Sequence, residues 1–97
     1  MSTTLDTEGI ETVLAELPGW KHDPSVPALV LEYKAPSFLD GIEWVRAVAQ
    51  VAEHNNHHPD IDIRYRTVTF RCSTHSEGAV TNLDAELASA INRLAPE

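Results

Sequence analysis

Two short runs of alternating residues constrain the fold more than any other part of this 97-residue chain. Apolar and polar side chains alternate from 61 to 65 and again from 68 to 72. A period of two is typical of strands that bury one face. A hairpin with Arg66 and Thr67 as its loop gives every apolar residue an apolar partner: Tyr65 with Val68, Ile63 with Phe70, and Ile61 with Cys72.

This register has a consequence for two distant histidines. Extended by three residues, it places His58 opposite His75 at the open end of the hairpin, with both side chains on the polar face. We therefore expect the ends of the stretch from Glu53 to His75 to meet in space.

The remaining periodicity predicts an α+β domain. Helical spacing marks segments 10–17, 38–55 and 81–94, and strand-like segments begin at Trp20 and Ala28. The predicted order is α-β-β-α-β-β-α, an antiparallel sheet with helices packed on one face. We expect one domain over residues 1–97, with residues 1–7 as a flexible N-terminus.

Helix boundaries are also predicted from side-chain chemistry. Asp6 or Thr7 can cap the first helix and Ser37 the second, while Thr81 with Asp84 three residues on resembles a capping box. Asn55-Asn56 is a plausible left-handed end for the second helix. The apolar arc of that helix is wide, so Trp44 is expected either to contact a second subunit or to be buried within the chain.

Composition excludes several classes of protein. The formal charge of −8 and the lack of a basic run argue against binding to nucleic acid or to an anionic membrane surface. There is no apolar run of membrane-spanning length, and the N-terminus does not resemble a signal peptide. Cys72 is the only cysteine, which fits a core residue in a reducing cytoplasm.

Four of the five histidines lie between Glu53 and His75. Histidine exchanges protons readily near neutral pH, so convergence of His57, His58 and His75 predicts an acid–base site. Glu53, one helical turn before His57, is expected to accept a hydrogen bond from its ring. The carboxylate of Asp84 could face the same cleft.

Two other interpretations remain open for these residues. Donors for a zinc site would come from His54, His57, His58 and His75 with Asp60 or Glu53, but HExxH and paired cysteines are missing. The histidines could also have a purely structural role in a helix cap and a loop. A nucleophilic pair of Ser73 or Thr74 with His75 is poorly arranged, because adjacent strand residues point to opposite faces.

The motif that combines these residues is specific. It reads Glu53-x-x-x-His57-His58-Pro59, then Tyr65-x-x-Val68, then Ser73-Thr74-His75. Together with Gly19-Trp20 and Thr81-x-x-Asp84, it closely resembles the pterin-4a-carbinolamine dehydratase family over residues 8 to 94.

The resemblance implies a four-stranded antiparallel sheet, a homodimer or homotetramer, and a metal-free, cofactor-free lyase. The implied reaction is histidine acid–base dehydration of 4a-hydroxytetrahydropterin (4a-hydroxytetrahydrobiopterin) to quinonoid dihydropterin, in pterin recycling beside an aromatic amino-acid hydroxylase. By position, the implied catalytic residues are His57, His58 and His75, and the substrate-binding or supporting residues are Glu53, Pro59, Asp60, Ser73, Thr74 and Asp84.

The alternative is a non-catalytic dimerisation or assembly-factor module of the same fold. Many relatives carry Trp where this chain has Ile61, so we also expect a pocket without that aromatic wall.

Overall fold

The computed structural model describes residues 2–96, and its elements follow the predicted α-β-β-α-β-β-α order. The helices are α1 (Thr7–Ala15), α2 (Phe38–Asn55) and α3 (Asn82–Leu94), and the strands are β1 (Trp20–Asp23), β2 (Ala28–Lys34), β3 (Asp60–Arg64) and β4 (Thr67–Cys72). No helix within residues 2–96 has the length and apolar character needed to cross a membrane.

The four strands form one antiparallel sheet in the order β1-β2-β4-β3. β2 and β4 lie in the centre, and β1 and β3 are the two edges. The predicted four-stranded antiparallel sheet is therefore confirmed. The central pair matters for the site, because β4 leads directly to the Ser73-Thr74-His75 segment.

The predicted hairpin register is wrong by two residues. Ile63 pairs with Val68 and Ile61 with Phe70, and Tyr65 and Arg66 form the loop. Thr67 belongs to β4, where it pairs with both Lys34 of β2 and Arg64 of β3, so the pairing with β2 excludes it from the loop.

The loop itself is stabilised by local contacts. Tyr65 adopts a positive φ of 55°. The carbonyl of Arg66 accepts a hydrogen bond from the Ala35 amide at 2.8 Å, and its guanidinium donates to the Pro36 carbonyl at 2.9 Å. These bonds tie the hairpin turn to the connection between β2 and α2.

The core lies between the apolar face of the sheet and the helices. Trp44 is at its centre, 2% exposed, and packs edge-to-face on Tyr33 and Phe70 with ring centroids 5.2 and 4.9 Å apart. Its indole N–H donates to the Ile91 carbonyl at 3.0 Å, so it joins α2, α3 and the sheet. The prediction that Trp44 contacts a second subunit is therefore wrong, and the alternative, that it is buried within the chain, is confirmed. Trp20, at the start of β1, is 6% exposed and is also a core residue.

The predicted helix caps agree with the structure. Asp6 accepts the Gly9 amide, Ser37 accepts the Asp40 amide, and Thr81 forms a capping box with Asp84. Asn56 ends α2 in the left-handed conformation, with φ 52° and ψ 42°.

Part of the segment expected to be a flexible N-terminus is paired. Thr4 forms a bridge with Thr81, and the Leu5 amide donates to the Val80 carbonyl at 3.0 Å. Residue 1 lies outside the described residues, and Thr7 already belongs to α1. Residues 3–5 thus cover the start of α3.

Cys72 is fully buried on β4. Burial raises the pKa of its thiol well above the usual range, and the nearby charges of Asp84 and Asp60 raise it further. Since the thiolate is the nucleophile, a thiol held protonated in the core is chemically inert.

We expect Cys72 in the folded protein to react with a thiol-specific disulfide reagent at pH 8 roughly 100-fold more slowly than in guanidinium-unfolded protein, because reaction requires opening of β4. The release of the coloured thiol measures both rates, with Cys72→Ser as the unreactive control. Equal rates in the two states would contradict the burial of Cys72.

Candidate active site

The end of α2 determines where His57 points. Asn56 in the left-handed conformation reverses the chain, and the His57 amide then donates to the Ala52 carbonyl at 3.1 Å. His57 is therefore past the helix and does not lie one regular turn above Glu53. The ring of His57 turns inward and is only 13% exposed.

The predicted hydrogen bond between Glu53 and His57 is consequently wrong. Glu53 instead faces His58, with its Oε2 2.5 Å from the ring Nε2. Both side chains are exposed, His58 at 52% and Glu53 at 78%. Because water screens this pair, we treat it as a way of orienting the His58 ring rather than as a large contribution to stability.

The partner of His57 is Asp84 in the first turn of α3. His57 Nε2 lies 2.7 Å from Asp84 Oδ1, and the Asp84 side chain is completely buried. The other carboxylate oxygen, Oδ2, accepts the Thr81 amide at 2.9 Å and the Thr74 hydroxyl at 2.8 Å. The N-terminal end of a helix also favours negative charge. Asp84 is thus held by α3 and by the end of β4 while it holds His57.

His75 reaches the same region from a tight turn. Thr74 and Ala79 form an isolated bridge, and the Gly78 amide donates to the His75 carbonyl at 3.2 Å. Gly78 has a φ of 61°, a conformation that glycine adopts without strain. His75 is the first residue of this turn and is exposed, so its ring is free to adjust to a bound molecule.

The expectation that His58 and His75 face each other across a strand register is wrong. Regular pairing of β3 with β4 ends at Asp60 and Arg71, and the observed register would place His58 opposite Ser73. Both histidines nevertheless line the same site, because the α2–β3 junction and the turn after β4 flank one open cleft of about 290 Å³. Its lining is Asn56, His57, His58, Pro59, Asp60, Ser73, Thr74, His75 and Ser76.

Most of the predicted site residues therefore come together. All three candidate catalytic histidines line the cleft, as do four of the six supporting residues. Glu53 and Asp84 contact it through the rings of His58 and His57. His54, which was considered as a zinc donor, does not line the cleft, and neither does His22 on β1. Ile61 does not line the cleft either and pairs with Phe70 in the sheet. The expectation that Ile61 leaves the pocket without an aromatic wall is therefore not supported.

Sequence reasoning missed three contributors. Asn56 and Ser76 line the cleft, whereas the sequence indicated only a helix end at Asn56. Thr81 had been predicted solely as a cap, yet its hydroxyl lies 2.7 Å from that of Thr74. The capping-box pattern could have indicated the role of Thr81. A residue that caps the helix by bonding Asp84 lies next to the other partners of Asp84.

The histidines and carboxylates of the site are not arranged as the ligands of a metal centre. Within residues 2–96, no three His, Cys, Asp or Glu side chains lie close enough together to hold an ion. The cleft instead offers three imidazoles of different surroundings: one ring fixed by a buried carboxylate, one beside an exposed carboxylate and one on an exposed turn. Such a set can supply and remove protons at neighbouring atoms of one ligand.

Known proteins resemble this chain closely in sequence. Residues 3–94 match the family model described as pterin 4 alpha carbinolamine dehydratase. A protein of Mycolicibacterium smegmatis named "Putative pterin-4-alpha-carbinolamine dehydratase" is 48% identical over 90 residues, which cover 93% of this chain and 94% of that protein. A Mycobacterium avium protein with the same name is 52% identical, covering 91% of this chain and 92% of that protein.

Two solved structures extend the comparison. A transcriptional coactivator/pterin dehydratase from Brucella melitensis superposes with a TM-score of 0.92 at 29% identity, covering 96% of this chain and 99% of the other. A pterin dehydratase-like protein described as a RuBisCO assembly factor in the alpha-carboxysome has a TM-score of 0.67 at 19% identity, covering 79% of this chain and 89% of the other, and shares the fold alone. The family model and the mycobacterial relatives, which match nearly the whole chain, show that this chain belongs to the pterin-4-alpha-carbinolamine dehydratase family.

Proposed function

We propose that this chain is a hydro-lyase that dehydrates 4a-hydroxytetrahydropterin to quinonoid dihydropterin. The observation that carries the proposal is the convergence of His57, His58 and His75 on one cleft, with His57 held by the buried Asp84. Membership of the dehydratase family supports the same substrate class.

The reaction needs one proton delivered and one removed. The C4a–O bond breaks, and the departing hydroxyl takes a proton from a general acid and leaves as water. The neighbouring N5–H gives its proton to a general base, and its electron pair forms the N5=C4a double bond. Two imidazoles on one cleft, one neutral and one protonated, balance these steps without any further reactant.

The three rings are suited to different roles. His57 is fixed and mostly buried, and His75 lies on an exposed turn, so we propose these two as the proton donor and acceptor. His58 is paired with Glu53 at the rim and is proposed to position the pterin. Asp60, Ser73 and Thr74 complete the lining of the cleft as supporting residues.

The proposed setting is tetrahydropterin recycling. There the substrate would be the product of a pterin-dependent aromatic amino-acid hydroxylase, which makes such an enzyme the proposed partner. The single cysteine, buried and unpaired, supports a reducing cytoplasmic location.

We expect His57→Ala and His75→Ala each to lower kcat/KM for the 4a-hydroxy substrate by roughly 10²–10⁴-fold, the range that general acid–base catalysis contributes. The assay follows formation of dihydropterin from 4a-hydroxytetrahydropterin. His22→Ala is the matched control, because His22 lies on the edge strand β1, which is separated from β3 by the two central strands.

Full dehydratase activity in both histidine variants would contradict the proposed mechanism. A wild-type protein without dehydratase activity that captures one protein partner stoichiometrically would instead favour the alternative, an assembly or dimerisation module of this fold.

We further propose that the reaction requires neither a metal ion nor another cofactor. Within residues 2–96, no three His, Cys, Asp or Glu side chains are placed to bind one metal ion, which supports this proposal. Protein dialysed against a strong chelator is therefore expected to retain its kcat within about twofold, since proton transfer by imidazole needs no Lewis acid. Loss of activity that added zinc restores would contradict this.

Self-association is proposed because two elements leave apolar side chains exposed. Phe38 and Leu39 at the start of α2 are 50% and 65% exposed, and Ile61 and Ile63 on β3 are 37% and 38% exposed. β3 is also an edge strand with one unpaired side, which invites pairing with another chain. A small domain buries only a modest share of its surface, so it benefits from covering these residues in a homodimer or homotetramer.

The double variant Phe38→Lys/Ile63→Lys is expected to convert an oligomer to a monomer, because it places charge on both exposed apolar elements. Light scattering after size-exclusion chromatography measures the mass. Val26→Lys, at a 53% exposed position in the β1–β2 turn, is the control and should leave the mass unchanged. A monomeric wild-type protein, or a double variant with the wild-type mass, would argue against this interface.

A further inference from the structure

We infer that Thr74 is a positioning residue for the proposed reaction. Its hydroxyl orients the Asp84 carboxylate so that His57 keeps its proton on Nε2 and presents Nδ1 to the cleft. The inference rests on the proposed function for its catalytic meaning, but the arrangement of protons that it describes can be tested independently.

The directions of the hydrogen bonds follow from donor and acceptor chemistry. The Thr81 amide can only donate, and it bonds Asp84 Oδ2 at 2.9 Å, so this oxygen acts as an acceptor. The Thr74 hydroxyl is 2.8 Å from the same oxygen and donates to it. Each hydroxyl carries one proton, so the contact of 2.7 Å between Thr74 and Thr81 requires Thr81 to donate and Thr74 to accept.

The second hydrogen bond of the Thr81 hydroxyl agrees with these directions. This hydroxyl oxygen, which gives its own proton to Thr74, accepts the Leu83 amide at 3.2 Å. The sequence of donation is therefore Leu83 amide, Thr81 hydroxyl, Thr74 hydroxyl, Asp84 carboxylate. No proton in this chain is used twice.

His57 completes the pattern at the other carboxylate oxygen. Asp84 Oδ1 is 2.7 Å from His57 Nε2, and a carboxylate accepts, so Nε2 carries the proton. Among residues 2–96, the only buried side-chain nitrogen or oxygen without a hydrogen-bond partner is Arg66 Nε. His57 Nδ1 also has no hydrogen-bond partner there, so it must be accessible to solvent. Since His57 lines the cleft, Nδ1 is the nitrogen that can exchange a proton with a ligand.

Burial explains why the Thr74 hydroxyl matters. Thr74 is 5% exposed, and Thr81 and Asp84 are not exposed at all. Water cannot readily replace a donor that is removed from this network, so loss of the Thr74 hydroxyl leaves Asp84 Oδ2 held by the Thr81 amide. The carboxylate then fixes the His57 ring less firmly, and the ring can change tautomer. A hydroxyl on the surface would not have this effect.

The first test is the nitrogen chemical shifts of His57 in the wild-type protein. Long-range proton–nitrogen correlation spectra distinguish a protonated nitrogen from an unprotonated one in neutral imidazole. We expect Nε2 to be the protonated nitrogen. A neutral ring with its proton on Nδ1 would overturn the inference, and this result needs no variant and no enzymatic activity.

The second test compares Thr74→Val with Thr74→Ser. Valine keeps the shape but removes the donor, so we expect kcat to fall roughly 10- to 100-fold, as the loss of a hydrogen bond to a charged group implies, with KM within about twofold. The His57 nitrogen shifts should move toward a mixture of tautomers. Serine keeps the hydroxyl and should restore both the wild-type shifts and most of kcat.

The outcomes separate this inference from the proposed function. A Thr74→Val protein that folds and keeps wild-type shifts overturns it, as do Val and Ser variants that are equally impaired, since the methyl group would then be the essential part. Shifts that respond as expected in a protein without dehydratase activity would support the positioning role while the proposed function fails.

Discussion

The buried carboxylate of Asp84 is the interaction on which the rest of the site depends. It accepts hydrogen bonds from α3, from the end of β4 and from the α2–β3 junction, through Thr81, Thr74 and His57. Thr74, Thr81 and Asp84 lie close together in the sequence, whereas His57 is 27 residues before Asp84. The pairing of β3 with β4 brings the α2–β3 junction beside them. Three donors and the helix N-terminus together offset the cost of removing a charge from water. Removing the carboxylate would take the acceptor away from the buried Thr81 amide and Thr74 hydroxyl together, and this is more costly than the loss of either bond alone.

The same interaction divides the cleft into rigid and adjustable parts. His57 is fixed against a buried group, whereas His75 lies on an exposed turn and His58 is at the exposed rim. A fixed ring favours proton transfer because the geometry is set before the ligand arrives, and no reorganisation is needed at the moment of reaction. An exposed ring can follow the ligand and exchange its proton with solvent between turnovers. Both properties suit the proposed delivery of one proton and removal of another.

The sequence was a better guide to which residues form the site than to the contacts that those residues make. Alternation in β3 and β4 specifies which face each residue takes, and a shift of two residues leaves every face unchanged, so the pattern could not distinguish the pairing of Ile61 with Phe70 from that with Cys72. The true register depends on β2, which draws Thr67 into β4 through Lys34. Such information is not local to the hairpin. Local signals were reliable where the chemistry is local, as in the Thr81 capping box and the left-handed Asn56. The partner of His57 was missed because regular helix spacing was extended across the chain reversal that Asn56 itself creates.

The position of the polar network explains why a small domain tolerates it. Asp84, Thr74 and Thr81 are buried, but they lie at the end of the sheet, away from the aromatic contacts of Trp44 with Tyr33 and Phe70 that fill the centre of the core. An apolar set of the same volume at this position would avoid the desolvation of a charge, and such replacements are often neutral or stabilising. It would also leave the His57 ring without a partner and free to turn toward solvent. The network is therefore better understood as a device that selects one orientation and one tautomer of His57 than as a source of stability for the fold.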